Sequence, residues 1–193
     1  MSVWDDIYML DKWGGGSGPG SKAETTKEYR VFLEAFLQHN KISYVLDVGC
    51  GDGELAQLIE WGDANYHGID VSAEAITRAR LNKSSYMWSF MVSKNPELYG
   101  PVKWERESSL AIVKDVCQHL PFAKIRELLD SLKGFKHVLV TNDIPKSGEQ
   151  PDCNEGDWRP VDITLPPLNY KAGEVLAFQS APLMKKTVHI INF

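Results

Sequence analysis

Apolar residues fall at two different spacings along this chain, and the change near residue 43 organises the rest of the pattern. Before it, Tyr29, Phe32, Leu33, Phe36 and Leu37 recur at helical intervals on one face. Thr25 or Thr26 stands where a helix cap belongs, and the pattern runs out near Asn40. From Ser43 onward, short apolar runs alternate with helical ones, the texture of a mostly parallel sheet covered on both faces. The runs predict strands at Tyr44 to Val48, Tyr66 to Ile69, Tyr86 to Val92, Leu110 to Lys114 and His137 to Thr141. Helices are predicted at Glu54 to Trp61, Ala73 to Leu81 and Phe122 to Leu132, with a short Pro-containing connection between the third and fourth strands. Beyond Asn142 the alternation stops. The stretch from Ile144 to Lys171 carries Pro145, Pro151, Pro160, Pro166 and Pro167 and reads as a loop, either ordered for function or mobile. Glu174 to Phe178 and Thr187 to Phe193 then read as an antiparallel pair joined by a short Pro-containing turn.

At 193 residues the chain holds one ordinary domain with one sizeable core. Its 21 basic and 26 acidic side chains give a net charge of -5, and Lys185-Lys186 is the one tight basic cluster, so a nucleic-acid grip is disfavoured. No apolar run approaches the roughly 20 residues of a membrane span, and a start with Asp5, Asp6 and Asp11 is unlike a signal peptide; a cytoplasmic protein is expected. Cys50, Cys117 and Cys153 are too scattered for a disulfide framework or a zinc site, so free thiols and no metal are expected. The Gly/Ser run from Trp13 to Ser21 has the composition of a cloning scar, yet it sits in native-looking sequence behind a tryptophan.

The most informative residues are Val45 to Gly53, an apolar strand running into Gly49, Gly51 and Gly53. Glycines at such a turn let the backbone bend sharply and approach a ligand closely, which implies a nucleotide-like ligand. The dinucleotide spacing G-x-G-x-x-G fails, because Glu54 stands at its third glycine and would face a pyrophosphate. A P-loop fails too: Gly15 and Gly20 are correctly separated, but Ser21-Lys22 are in the wrong order. One strand later Asp70 follows Gly49 by 21 residues, about where a ribose-binding carboxylate stands in an α/β nucleotide site.

Val45-Leu-Asp-Val-Gly-Cys-Gly-Asp-Gly53 together with Gly68-Ile-Asp70 resembles the class I S-adenosylmethionine (SAM) dependent methyltransferases, over roughly Ile42 to Phe193. The resemblance implies a Rossmann-like α/β fold: a seven-stranded, mostly parallel sheet with an antiparallel last strand and helices on both faces. It implies SAM as cofactor, S-adenosylhomocysteine (SAH) as product, and a single domain over 1–193, in which 1–41 forms a lid and helix and 143–173 an acceptor-side loop. Asp47 with Gly49, Cys50 and Gly51 would hold the methionine part, Asp70 and Val71 the ribose side, and Lys114 and Asp115 the cofactor's other flank. The third strand departs from the family, since no acid directly follows it; Ser93, Asn95 or a backbone group would have to meet the adenine.

The segment Lys114 to Phe122 also resembles one found after the fourth strand of many small-molecule methyltransferases, which puts Asp115 beside the methionine and His119 at a helix entrance. Methyl transfer from a sulfonium is an in-line displacement, so alignment and a dry pocket supply most of the rate, and a base is needed only for a protonated acceptor. His119, of a residue type titrating near 6.5, is the candidate base, with a plain structural histidine as the alternative; Asp115 is the second catalytic candidate. Cys117 reads as packed. Asn142 and Asp143 end the fifth strand at the edge where α/β sheets bind ligands, and Trp158 and Arg159 lie in a stretch that resembles some bacterial-type small methyltransferases. These four and Trp13 are the candidate acceptor-binding residues, with an Arg159 ion pair to Asp157 or Asp162 as the alternative for that arginine. The segment 13–21, with Trp4 and Tyr8, is expected to fold over the cofactor, and Asp152, Glu155, Asp157 and Asp162 favour a cationic or neutral acceptor. The expectation is thus a methyltransferase acting on a small molecule, as monomer or homodimer. A protein side chain as acceptor, or a SAM-binding partner protein that transfers nothing, are the alternatives.

Overall fold

The computed structural model describes residues 2–82, 85–181, 184–191 and 193. Seven strands, β1 (Tyr44–Val48), β2 (Asn65–Asp70), β3 (Trp88–Val92), β4 (Ser109–Lys114), β5 (His137–Asp143), β6 (Gly173–Ala181) and β7 (Met184–Ile191), form one sheet in the order β3-β2-β1-β4-β5-β7-β6. The pairs among β1 to β5 are parallel, and β7 runs antiparallel to both of its neighbours, β5 and β6. Only the last strand therefore opposes the others, as expected of the class I methyltransferase fold. The strand order reverses between β1 and β4, and a crevice opens at such a switch point, outside the strands' carboxyl ends.

Both faces of the sheet are covered, which is why all five residues of β1 are buried. On one face, Tyr29, Leu33 and Leu37 of helix α2 (Lys27–His39) and Ile76 and Ala79 of α3 (Ala73–Leu81) pack on Val45, Tyr66, Leu110, Ile112 and Leu139. On the other, Ile125 and Leu129 of α4 (Phe122–Ser131) share the cover of Leu46, Val113 and Val140 with Val161, Ile163 and Leu168 of the Pro-rich loop. That loop is ordered and part of the core. Burial of each of these three loop side chains is worth about 1.5–3 kcal/mol, and the loop backbone is laced to the turn after β4 by Arg159 N–H to Gln118 O (3.0 Å) and to β5 by Val161 N–H to Asp143 O (2.7 Å).

Three local expectations change, and one helix is added. The helix expected at Glu54 to Trp61 is a single 3₁₀ turn, Ala56–Leu58. The Trp61 indole donates to Ala56 O (2.9 Å) and the Glu60 N–H to Glu34 Oε1 (3.1 Å), so the carbonyl and N–H that a continuing helix would join are both diverted. The third strand begins at Trp88, and Tyr86 is exposed outside it. Thr26 occupies the cap position of α2, but its hydroxyl donates to Lys22 O (2.7 Å) and makes no cap bond. At the front, Val3–Met9 forms a helix, α1, started by a capping box of Ser2 and Asp5. Asp5 Oδ1 also accepts from Ser72 Oγ and Ala73 N (2.9 Å each), fastening α1 to the N-terminus of α3. The expected turn at Pro182, between β6 and β7, lies outside the described residues, as does Asn192 in the segment expected as the last strand. No helix among the described residues is long and apolar enough to cross a membrane.

Candidate active site

The turn after β1 is built from glycine because the backbone demands it. Gly49, Gly51 and Gly53 have φ of 75°, 59° and 75°, a region that side chains rarely adopt. A Cβ on Gly49 would meet Val116 Cγ2 at 2.3 Å, and one on Gly51 would meet Ser17 Oγ at 2.0 Å. The turn is thus clamped between the loop after β4 and the front segment. It delivers the Gly51 N–H to Asp70 Oδ2 (3.0 Å), while Ser72 N–H reaches Asp70 Oδ1 (2.8 Å). Burial pushes the Asp70 carboxyl up to about 6, against the pull of these N–H groups. Asp47, at the end of β1, accepts from the Tyr66 hydroxyl (2.6 Å) and is also pushed up to about 6 by burial.

A cavity of about 1500 Å³ opens at these carboxyl ends, above the roughly 300–1,000 Å³ of an ordinary single-ligand pocket. It has room for a nucleoside-sized ligand and a second molecule. Asp47, Gly49, Cys50, Asp70, Val71 and Ser93 line one half, and Lys114, Asp115, His119, Asp143, Trp13 and Trp158 line the other. Trp4, Tyr8 and residues 17–21 complete the wall, so the front segment does fold over the site. It is tied down by Ser17 Oγ to Asp52 Oδ1 (2.7 Å) and Lys22 to Glu54 (2.9 Å). Three candidates stand back from the cavity. Gly51 supports it from beneath Ser17 and Tyr8, Asn142 is buried within β5, and Arg159 is turned away. An acid missing directly after β3 arrives a turn later, since Glu97 of the 3₁₀ turn Pro96–Tyr99 lines the same half as Ser93 and Asn95.

The second half holds a largely buried quartet of charges. Asp115, in a left-handed backbone conformation (φ 60°), accepts from Lys114 Nζ (2.5 Å) and from Lys186 Nζ. Lys186 also reaches Asp143 Oδ2 (3.1 Å), and Lys114 reaches Gly20 O (2.7 Å) in the front segment. Burial would raise the Asp115 carboxyl, but the two ammonium groups outweigh it and hold it below the ordinary range. Burial likewise works against the charge of Lys186, and the two carboxylates outweigh it. Asp115 is therefore ionised and engaged by two cations, which suits fixing charge in place and makes it a poor proton acceptor. Lys186 was not among the candidates. Its signal was the register of the last strand, in which it pairs with Asp143.

His119 ends the 3₁₀ turn Cys117–His119, with its ring tilted over Trp13 (centroids 5.1 Å) and edge-on to Trp4 (6.3 Å). Its Nδ1 lies 2.9 Å from Asp157 O, a carbonyl that only accepts, so Nδ1 carries the proton and Nε2 keeps its lone pair. Gln118 Nε2 stands 3.5 Å from that Nε2, and Gln118 Oε1 is held by the Asp143 N–H (3.2 Å). Burial holds the ring's pKa below its ordinary value, so it is neutral at pH 7.

Arg159 is a clamp. Its guanidinium donates to Pro151 O (2.8 Å), Cys117 O (3.0 Å) and Leu120 O (2.7 Å) and covers the Phe122 ring at 4.7 Å. Its acidic neighbour is Asp152 at 3.7 Å, so neither acceptor binding nor an ion pair to Asp157 or Asp162 describes it. The loop acids are also engaged: Asp152 accepts from Phe122 N at the start of α4, Asp157 from Asn154, Asp162 from Thr164, and Glu155 from Trp4 Nε1 (2.9 Å) and Lys124. They give no ground for a cationic acceptor. Cys117 is fully buried and its thiol is pushed up to about 12, a packed residue as expected. Among the described residues no cluster of His, Cys, Asp and Glu could hold a metal ion.

Residues 45–135 match the model of a family described as a methyltransferase domain. Among solved structures the chain resembles magnesium protoporphyrin IX methyltransferase from Synechocystis PCC 6803, crystallised with SAM, at 15% identity and a TM-score of 0.66 over 100% of this chain and 98% of that one. The methyltransferase domain of bacterial CtHen1 follows at 16% identity and 0.61, over 88% of this chain and 100% of that one. The bifunctional kinase-methyltransferase WbdD matches at 18% identity and 0.62, over 99% of this chain and 45% of that one. A comparison with curated protein sequences finds no match.

Proposed function

We propose, from the methyltransferase-domain match over residues 45–135 and the likeness of fold, that this protein is a class I SAM-dependent methyltransferase that binds SAM along the β1 and β2 half of the cavity and methylates a small molecule held against His119. The observation that carries the reading is Asp70: a carboxylate held by Gly51 and Ser72 N–H at the cavity wall, with lone pairs left for the two hydroxyls of a ribose. The residues present fit the cofactor, since Asp70 keeps lone pairs at the cavity wall and the cavity has room for two molecules. SAM supplies an electrophilic methyl group on a sulfonium. The protein's own work is to align the acceptor with that methyl and to exclude water, and charge disperses as the bond forms. The quartet of Lys114, Asp115, Lys186 and Asp143 is already fixed, so it needs no reorganisation during transfer. Where the acceptor is a neutral hydroxyl or amine, its proton passes to His119 Nε2, the nitrogen that the Asp157 carbonyl leaves free.

The tie between Trp4 and Glu155 closes the front segment against the acceptor loop beside His119, which favours a small molecule over a protein side chain. Calorimetry of SAM and SAH on the wild type and Asp70→Ala, with NAD as control, tests the reading. Binding of SAM and SAH that is lost in the variant supports it and leads to an acceptor screen by product mass. Absence of SAM binding by the wild type refutes it.

A further inference from the structure

We propose that the acceptor carries an anionic arm, received in a basin beside the transfer site; the inference rests on the methyltransferase reading and adds the chemical class of the substrate. The basin, about 550 Å³, is lined by Ile144, Pro145, Lys146, Trp158, Pro160 and Lys185, with Asp143 at its boundary. Trp158 and Asp143 line the main cavity as well, so one molecule lying along Trp158 has access to both.

Its chemistry differs from that of its surroundings. Lys114 and Lys186, at the neighbouring transfer site, are held by carboxylates, whereas Lys146 and Lys185 make no ion pair among the described residues. The only acid on the basin's wall, Asp143, is neutralised by Lys186. Two exposed lysines without an ion pair among the described residues therefore line one concave site in a protein whose net charge is -5. The pleat of β7 explains the division of labour: Lys186 turns inward to the quartet and Lys185, next to it, turns to the other side. The floor is held in place, with Ile144 N–H on Lys185 O (3.1 Å) and the neighbouring Arg159 clamped by three carbonyls. Trp158 is 49% exposed, an uncovered aromatic face on which a planar ligand can stack. An aromatic surface flanked by two point charges selects a planar molecule bearing a carboxylate or phosphate. This inverts the sequence-based expectation of a cationic or neutral acceptor, which rested on loop acids that turn out to be engaged.

The test titrates phenylacetate, phenyl phosphate and neutral benzyl alcohol into the SAH-saturated protein by calorimetry, for the wild type, Lys146→Ala/Lys185→Ala and Trp158→Ala. In the wild type the anions should bind about tenfold more tightly than benzyl alcohol. That preference should vanish in the double lysine variant and weaken as salt is raised, and Trp158→Ala should weaken all three ligands. The stronger of the two anions identifies the arm as carboxylate or phosphate. Equal binding of benzyl alcohol, no saturable anion binding, or a preference that survives the double variant would each overturn the proposal. So would loss of SAH affinity in a double variant with an unchanged melting temperature, since the lysines would then serve the cofactor. If the wild type itself fails to bind SAH, the methyltransferase reading falls, and the same titrations on the free protein still decide whether the basin takes anions.

Discussion

Replacing Lys186 by Met removes the cation that Asp115 and Asp143 share while keeping a side chain of similar length. Asp115 retains Lys114 at 2.5 Å, but Asp143 makes no other ion pair among the described residues, with Lys114 acting on it only from farther off, and its Oδ1 already lacks a hydrogen-bond partner among them. Asp143 and Lys186 are 4% and 3% exposed, so water does little to replace the lost partner. Breaking a pair in this setting costs about 3–5 kcal/mol, a large part of the roughly 5–15 kcal/mol of a typical domain. For a chain of this size that is a fall in melting temperature of about 6–20 °C. The sign of its pH dependence follows from the carboxyl left behind. Stranded in the interior, Asp143 is raised above its unfolded value, so the folded variant holds a proton that the unfolded chain has released. The carboxyl is already raised by burial with Lys186 present, and losing that cation raises it further, so the loss should be smaller at pH 5 than at pH 8. Urea unfolding followed by tryptophan fluorescence at both pH values measures it. Adding Asp143→Asn to Lys186→Met should recover much of the stability at pH 8. A loss under about 1 kcal/mol, or one equal at both pH values, would refute the assignment of Lys186 as the keystone of a buried quartet.

Arg159→Lys keeps the charge but loses the fork that reaches three carbonyls, so it should cost about 2–4 kcal/mol in urea unfolding while leaving SAH affinity unchanged; a specific loss of acceptor affinity without loss of stability would return Arg159 to the binding site. His119→Gln should lower turnover by about 10²–10⁴ on a hydroxyl or amine acceptor, with SAH affinity held in calorimetry. Because burial lowers the pKa of His119, the acid limb of wild-type turnover should have its midpoint below the ordinary histidine value and level off as pH rises; a rate that keeps rising above pH 8 would point to a different base. Glu155→Gln weakens the tie from Trp4 and Lys124, which should cost no more than about 1 kcal/mol overall but speed limited proteolysis of the first 26 residues, an effect that SAH should suppress.

The sheet was legible because a strand buried on both faces writes itself as an unbroken apolar run; Tyr44 to Val48 is predicted and observed with the same ends. The glycine turn and Asp70 were legible because backbone conformation restricts which residues can stand there. What sequence could not reach was decided by partners far along the chain. Glu60 is drawn out of a helix by Glu34, 26 residues away, and α1 takes its place through Asp5 on α3, 67 residues on from it at Ser72. Lys186 looked like half of a surface basic cluster, and only its pairing with Asp143 turns it inward. Arg159 looked like a ligand contact because its stretch resembles one in some bacterial-type small methyltransferases. Here it is 4% exposed, and its donors meet carbonyls that no side-chain spacing reveals.

The acceptor loop is also the cover of one face of the sheet, and that limits how selectivity can change. Val161, Ile163 and Leu168 are core residues, and Arg159 joins the loop to the turn that carries His119. A substitution at any of these disturbs the sheet's cover and the position of the candidate base together, so it alters stability before it alters preference. Trp158, next to Arg159, is free of that burden: it is half exposed, and it lines both the main cavity and the lysine-lined basin. Changes of acceptor preference should therefore concentrate at Trp158, Lys146 and Lys185, where side chains touch the ligand space and little of the core. Melting temperatures of single alanine variants across 144–170 separate the two classes. A large stability loss at Trp158 or Lys146, with none at Val161 or Ile163, would show that the loop is not built this way.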